Sequence, residues 1–303
     1  MAVTTEEIAT QPTLWRLAAG LAHELADVLP RAGERACLVG CGTSWFMGMA
    51  FAALREAAGL GECDAFAASE LPADRRYDVL VAISRSGTTS EVARVLARPP
   101  AARTVAITAV RDSPVAAGAD AVVALDAADE RSVVQTRFAT TALALLRACV
   151  DPAAVESAAL DAERALAAEL PVPCVAGVEQ WAFLGRAWSV GLAHEAALKL
   201  REAAQAWAES HPQAEYRHGP IAIASPGRVV WSLAPLDPAL SEQIAATGAR
   251  VVVPPLDPMA SLVLAQRTAV ALAESRGLDP DAPRNLTRSV VLGDEALGGL
   301  VDG

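Results

Sequence analysis

Leu38-Val39-Gly40-Cys41-Gly42-Thr43-Ser44 and Phe183-Leu184-Gly185-Arg186-Ala187-Trp188-Ser189 lie 145 residues apart and follow one pattern. Each passes from an apolar run through a glycine-containing turn into the start of a helical stretch. The rhythm continues at similar offsets, since the β-branched run at Val79 recurs near Val229 and that at Thr104 near Val251. A period this long predicts two related α/β lobes rather than a solenoid. Working outward, apolar runs at Ala36–Val39, Val79–Ile83, Thr104–Thr108, Ala121–Leu125, Trp181–Leu184, Val229–Leu233 and Arg250–Val253 read as strands. They alternate with helical periodicity over Trp45–Ala58, Thr89–Ala97, Thr136–Cys149, Ser189–Ala208 and Met259–Arg276. Strand, helix, strand in this order predicts a mainly parallel sheet flanked by helices in each lobe, doubly wound in the flavodoxin-like or Rossmann-like manner. Continuous rather than alternating apolar strands fit sheets buried on both faces. The divisions that follow are an N-terminal segment 1–20, a first lobe 21–150, a connecting helix and linker 151–173 closed by Pro171-Val172-Pro173, a second lobe 174–291 and a tail 292–303.

Composition narrows the function classes. Hydrophobic residues are 53% of the 303 and charged residues 20%, enough apolar material for a sizeable core. No run of about 18 apolar residues lacks a charge, so no membrane span is expected. Glu6, Glu7 and Arg16 interrupt the first twenty residues, unlike a signal peptide. Five scattered cysteines (Cys37, Cys41, Cys63, Cys149, Cys174) without paired spacing read as a reduced, cytoplasmic protein rather than a disulfide or zinc module. A net charge of −11 and a pI near 4.9 argue against nucleic acid as a partner but leave room for a small anion held by local donors. Of the 25 basic residues only Lys199 is a lysine. The one ammonium therefore marks a place where a compact point charge is wanted, or else an exposed helix position of no consequence.

Three stretches carry chemistry. Gly40-Cys41-Gly42-Thr43-Ser44 offers free amides and hydroxyls at a helix N-terminus, where anions bind, and it is neither a dinucleotide nor a Walker fingerprint. Alone it reads equally as a capped turn. Ser84-Arg85-Ser86-Gly87-Thr88-Thr89-Ser90-Glu91 places five hydroxyls in seven residues, more than a cap needs. Both loops fall at the carboxyl ends of parallel strands, where open α/β sheets bind ligands, and together they point to a sugar phosphate or nucleotide. Third, Glu195, Lys199 and Glu202 stand at i, i+4 and i+7 of one helix, hence on one face, followed by a loop that presents His218 before Gly219-Pro220. A solvated salt-bridged stripe is the competing reading of that face.

The set of serine loops, the Glu-Ala-Ala-Leu-Lys-Leu-Arg-Glu helix from Glu195, the His-Gly-Pro loop and Pro283-Arg284-Asn285-Leu286 resembles the sugar isomerase (SIS) family. The likeness is to the isomerase half of glucosamine-6-phosphate synthases and to stand-alone amino-sugar-phosphate isomerases and ketosamine-phosphate deglycases. It runs from Glu7 to about Val291. Because Met1-Ala2 leads directly into this region, no glutamine-hydrolysing domain is expected. The resemblance implies that Gly42, Thr43, Ser44, Ser84, Arg85, Ser86 and Thr89 bind the sugar phosphate, Arg85 standing where the synthases have glutamine. It implies that Glu202 moves protons between C1 and C2, that Lys199 and Glu195 orient it, and that His218 assists ring opening across a homodimer interface, giving composite active sites. Arg288 stands where the synthases carry a lysine that engages the open-chain carbonyl; an arginine stays protonated and forms no Schiff base.

The expected function is thus an enzyme acting on a 2-amino or 2-acetamido hexose 6-phosphate or a ketosamine 6-phosphate, with an isomerase- or deaminase-type outcome. Elimination of the C3 hydroxyl from the same enolate, a lyase reaction, and a non-catalytic sugar-phosphate sensor are the alternatives. No cofactor and no metal are expected, since no histidine has ligand spacing with a carboxylate partner. His23 and His194 read as structural, and His211 as a possible neighbour of the site.

Overall fold

Strands β1 (Ala36–Gly40), β2 (Cys63–Ala67), β3 (Tyr77–Ile83), β4 (Ala101–Thr108) and β5 (Ala121–Ala124) form one sheet in the order β2-β1-β3-β4-β5. Every pair is parallel, the central register matching Ala36 with Val79 and Val39 with Ala82. Strands β6 (Gln180–Gly185), β7 (Trp207–Pro212), β8 (Arg228–Ser232) and β9 (Arg250–Val252) form a second parallel sheet in the order β7-β6-β8-β9. Counted within its own lobe, each sheet starts 2-1-3-4, the flavodoxin-like order with its switch point beside the first strand. The repeat seen in the sequence is therefore a repeat of topology. The computed structural model describes residues 2–172 and 175–293; Pro173, Cys174 and most of the tail 292–303 lie outside the described residues.

The helices are α1 (Val3–Ala9), α2 (Gln11–Leu21), α3 (Thr43–Ala57), α4 (Ser90–Ala97), α5 (Pro114–Ala117), α6 (Arg137–Ala148), α7 (Pro152–Ala167), α8 (Ser189–Ala204), α9 (Pro238–Ala246) and α10 (Pro258–Ser275). His23 lies in turns beyond the end of α2 rather than in a helix. Two strands escaped the sequence reading, β2 and β7, and the helix expected to reach Ala208 stops at Ala204. There Gln205 takes a left-handed backbone (φ 52°) and Trp207 opens β7.

The chain makes two compact units from interleaved stretches: Met1–Thr13, Arg131–Thr136 and Ala153–Leu286 in one; Leu14–Glu130, Arg137–Pro152 and Thr287–Gly303 in the other. These divisions assign α7 and the first residues to the unit of β6–β9, whereas the sequence reading had a separate N-terminal segment and linker. In that unit the N–H groups of Val3 and Thr4, at the start of α1, each donate to the Asp281 carboxylate at 2.7 Å. The Gln11 amide donates to Gln266 at 2.7 Å. Trp181, Phe183 and Trp231 fill the space under its sheet, the indole N–H of Trp231 donating to Ser261. In the other unit α6 is buried from Phe138 to Ala148, all round, and packs on α3. A helix that apolar belongs to a core, where each buried large side chain contributes about 1.5–3 kcal/mol.

One local feature recurs. A Cβ on Gly40 would lie 2.7 Å from Cβ of Ser44, and one on Gly185 only 2.4 Å from the Ser189 carbonyl oxygen. Only glycine at the strand end lets the following helix fold back this tightly. That close return brings the first turns of α3 and α8 to the carboxyl edges of their sheets.

Candidate functional site

The first candidate lies in the β1–β5 unit. Aspartates cap α9 and α10, with Asp237 and Asp257 accepting from backbone N–H groups. By contrast α3 and α4 begin without a side-chain cap; the Ser44 N–H donates to the Cys41 carbonyl at 3.2 Å and the Ser90 N–H to the Val290 carbonyl at 3.4 Å, while the positive ends of both helix dipoles face the turn region. Thr43 and Ser44 are buried in the first turn of α3. Thr89, at the N-cap of α4, turns its hydroxyl to Ser84 instead (3.0 Å), and Ser84 also accepts from the Gly87 N–H at 3.2 Å. Ser86 accepts from the Thr88 N–H at 3.2 Å. Ser84, Ser86 and Thr89 thus form one hydroxyl-lined turn.

Arg85 differs in its use. Its guanidinium is 1% exposed, stands 3.7 Å from the fully buried carboxylate of Glu130 and donates to the Arg288 carbonyl at 2.8 Å. Arg288 pairs with Asp129 at 2.5 Å and also donates to the Glu130 carbonyl oxygen. The two arginines expected to touch a ligand are held by an Asp129-Glu130 pair that the sequence reading did not single out. No local signal announces it, because the partners stand 45 and 159 residues apart.

The second candidate lies in the β6–β9 unit, on α8. Lys199 is 1% exposed; its Nζ donates to Oε2 of Glu202 at 2.6 Å and stands 3.3 Å from Oε1 of Glu195. Glu195 is as buried as Lys199, whereas the Glu202 side chain keeps 19% exposure. This is no solvated stripe: one ammonium is enclosed with two carboxylates, and only one of these reaches outward. Glu202 opens on a cavity of about 400 Å³ lined also by Arg201, Gln205, Arg284 and Asn285. Gln205 and Asn285, both at positive φ (52° and 65°), turn the chain at its rim.

His218 ends a short helical turn, Ala214–His218, and is exposed. Tyr216, fully buried, anchors that turn; burial first and the nearby Glu209 carboxylate second push its hydroxyl up to about 12. Arg217 ties the turn to Asp237 at 2.5 Å and to Gln243 at 2.9 Å. Among the described residues no hydrogen bond or ion pair joins His218 to Glu202. His211 lies 3.4 Å from Glu209, its ring tilted against that of Tyr216 with centroids 5.8 Å apart. His194 meets Ser210 at 2.8 Å, and burial holds its basicity below the ordinary histidine value, with His211 and Arg201 acting in the same direction.

Two parallel sheets of one topology, each with a helix returning tightly from its first strand, and a serine-rich turn at the edge of one, define a duplicated, doubly wound α/β architecture. Residues 30–150 match the SIS domain. It is 31% identical to a glutamine–fructose-6-phosphate aminotransferase (isomerizing) of Aeropyrum pernix, over 96% of this chain and 55% of that protein. It is 30% identical to the enzyme of the same name from Legionella pneumophila, over 84% of this chain and 50% of that one. The chain spans about half the length of the curated relatives it matches. Among solved structures, glucosamine-6-phosphate deaminase of Thermotoga maritima superposes with a TM-score of 0.83 at 23% identity, covering 96% of this chain and 100% of that one. The C-terminal domain of the Francisella tularensis glucosamine-fructose-6-phosphate aminotransferase does so with 0.79 at 23% identity, covering 93% and 98%. No helix among the described residues is long and apolar enough to cross a membrane.

Proposed function

We propose that the protein is an enzyme acting on an amino-sugar 6-phosphate by proton transfer at the carbon beside a carbonyl. The observation that carries this reading is the enclosed Glu195–Lys199–Glu202 group, whose single outward carboxylate adjoins a cavity. The names of the relatives, aminotransferases of fructose 6-phosphate and a glucosamine-6-phosphate deaminase, support the substrate class. Ser44, Ser84, Ser86 and Thr89, with the uncapped amides of α3 and α4, hold the phosphate. His218 passes a proton to the ring oxygen as the sugar opens. Glu202 then removes the proton alpha to the carbonyl. Its Oε2 is occupied by the Lys199 ammonium, so Oε1 takes the proton and returns it to the neighbouring carbon; the isomerisation is complete once the proton on the heteroatom of the first carbon has passed to the former carbonyl oxygen. Lys199 fixes the carboxylate and offsets the charge of the enolate, while Glu195 holds Lys199 in place. In this reading the enzyme is a homodimer whose sites are composite.

One observation favours a second outcome. Arg288 carries no amine that could condense with the carbonyl, and its guanidinium is engaged by Asp129 and Glu130. Amination is therefore disfavoured, and loss of the C3 hydroxyl from the same enolate is the competing branch. Proton NMR of the protein with glucosamine 6-phosphate or fructose 6-phosphate in deuterated water tests both. Deuterium at C2 is the isomerase outcome, and an unsaturated product the lyase outcome. Glu202→Gln should lower kcat by about 10²–10⁴ with near-normal binding and stop deuterium entry. Wild-type turnover in that variant would show the carboxylate to be part of a structural ion-pair group only.

A further inference from the structure

The C-terminal stretch 287–292 runs along the serine turn and adds a hydroxyl to it. Ser289 Oγ lies 3.0 Å from Ser86 Oγ and 2.8 Å from Thr88 Oγ1, and these two lie 3.1 Å from each other. Three hydroxyl oxygens thus form a nearly equilateral triangle. We infer that Ser289 is a phosphate-binding residue, completing a charge-neutral site for a phosphate monoester from a segment some 200 residues away. This rests on the phosphosugar reading above.

Three observations carry it. First, the Arg85 guanidinium is turned inward to Glu130 and to the Arg288 carbonyl, so the residue that looks like the turn's phosphate-binding cation does not serve as one. A dianion must then be met by hydroxyls and amides, and each further hydroxyl counts. Second, the protons of the triangle can be redirected. Each corner has a single O–H proton, and Ser86 is also held by the Thr88 N–H at 3.2 Å. Rotation about the Cβ–O bonds releases the protons to an anion without moving the backbone. Hydrogen bonds from hydroxyls to a charged acceptor are stronger than those between neutral hydroxyls, so exchanging one for the other is favourable. Third, the segment is fixed in place independently of Ser289. The Leu292 N–H donates to Ser90 Oγ at 2.9 Å, the Ser90 N–H donates to the Val290 carbonyl at 3.4 Å, and Arg288 is paired with Asp129. Ser289 is therefore delivered to the turn by contacts that do not depend on its own hydroxyl.

Isothermal titration of the full chain with glucosamine 6-phosphate and with inorganic phosphate tests the assignment, with circular dichroism checking that each variant is folded. Ser289→Ala should weaken both ligands about tenfold or more, the range for a hydrogen bond to a charged group. Ser289→Thr, which keeps the hydroxyl, should stay within about threefold of wild type on the same scale. Ser90→Ala, which removes a fastening of the segment but leaves the triangle, should bind as wild type. Unchanged or tighter binding by Ser289→Ala overturns the inference, as does a Ser90→Ala variant that reproduces the loss. Wild-type protein that binds neither ligand overturns the phosphosugar reading and this inference with it. That result is visible before any variant is measured.

Discussion

Replacing Lys199 by methionine removes the ammonium from between Glu195 and Glu202 and keeps the length of the side chain. In an exposed helix such pairs contribute about 0.3–0.5 kcal/mol each, and the change would be barely measurable. Here the ammonium is 1% exposed and so is Glu195, whose carboxylate lies 3.3 Å away. Removing one partner leaves the other charged in a poorly solvated place, which costs about 3–5 kcal/mol. Glu202 adds little to that figure, because its 19% exposure lets water replace the lost contact. Lys199→Met should therefore lose about 3–5 kcal/mol in urea unfolding followed by far-ultraviolet circular dichroism at neutral pH. Glu195→Leu combined with Lys199→Met should recover much of the loss, since both buried charges are then gone together. A single variant that loses less than about 1 kcal/mol, or a double variant no more stable than the single, would refute the claim that this group is enclosed.

Other expectations follow from the same geometry. Ser84→Ala and Ser86→Ala should each weaken hexose 6-phosphate binding by about 1–3 kcal/mol without unfolding the protein; unchanged calorimetric affinity in both removes the turn from the site. Mixing Glu202→Gln with His218→Ala chains should restore part of the activity neither has alone, because a mixed dimer holds one intact site; mixed dimers that form and stay inactive exclude a shared site. His194 is held less basic than an ordinary histidine by burial, so the unfolded chain takes up its proton first. Its contribution is full above a pH of about 6.5 and is lost as the pH falls below that value. His194→Asn should flatten this acid limb of the urea midpoint, and an unaltered limb would assign it to other groups.

Much of this was legible in the sequence, and the exceptions have physical causes. The paired glycine turns after β1 and β6 located both switch points, because close return of a helix admits no Cβ at Gly40 or Gly185. β2 was missed because Cys63-Asp64-Ala65-Phe66-Ala67 has no β-branched residue and carries an aspartate. β7 was missed because, at a sheet edge with Glu209 and His211 half-buried, it lacks the apolar signature of its neighbours. The alanines at 203, 204, 206 and 208 also prolong the helical pattern past the left-handed Gln205 that ends α8. The i, i+4, i+7 spacing placed Glu195, Lys199 and Glu202 on one face, yet spacing is silent on whether that face meets water. The roles of Arg85 and Ser289 depend on partners 45 and about 200 residues distant, which no local pattern encodes.

The interleaving of the two units bears on how the chain is made. The amides of Val3 and Thr4 donate to an Asp281 carboxylate that is translated 278 and 277 residues after them. The other unit has its five strands by Ala124 but waits for Thr287 onward before its serine turn acquires Ser289. Neither unit can finish until these late segments have been made, and contacts of such long separation form slowly. Nascent chains would carry both units unfinished until residues 281–289 have been made, a state that invites aggregation and chaperone capture. Cutting the gene near residue 150 would yield two fragments that each lack pieces of their own unit, so recovery of a folded protein would require both halves to be present together.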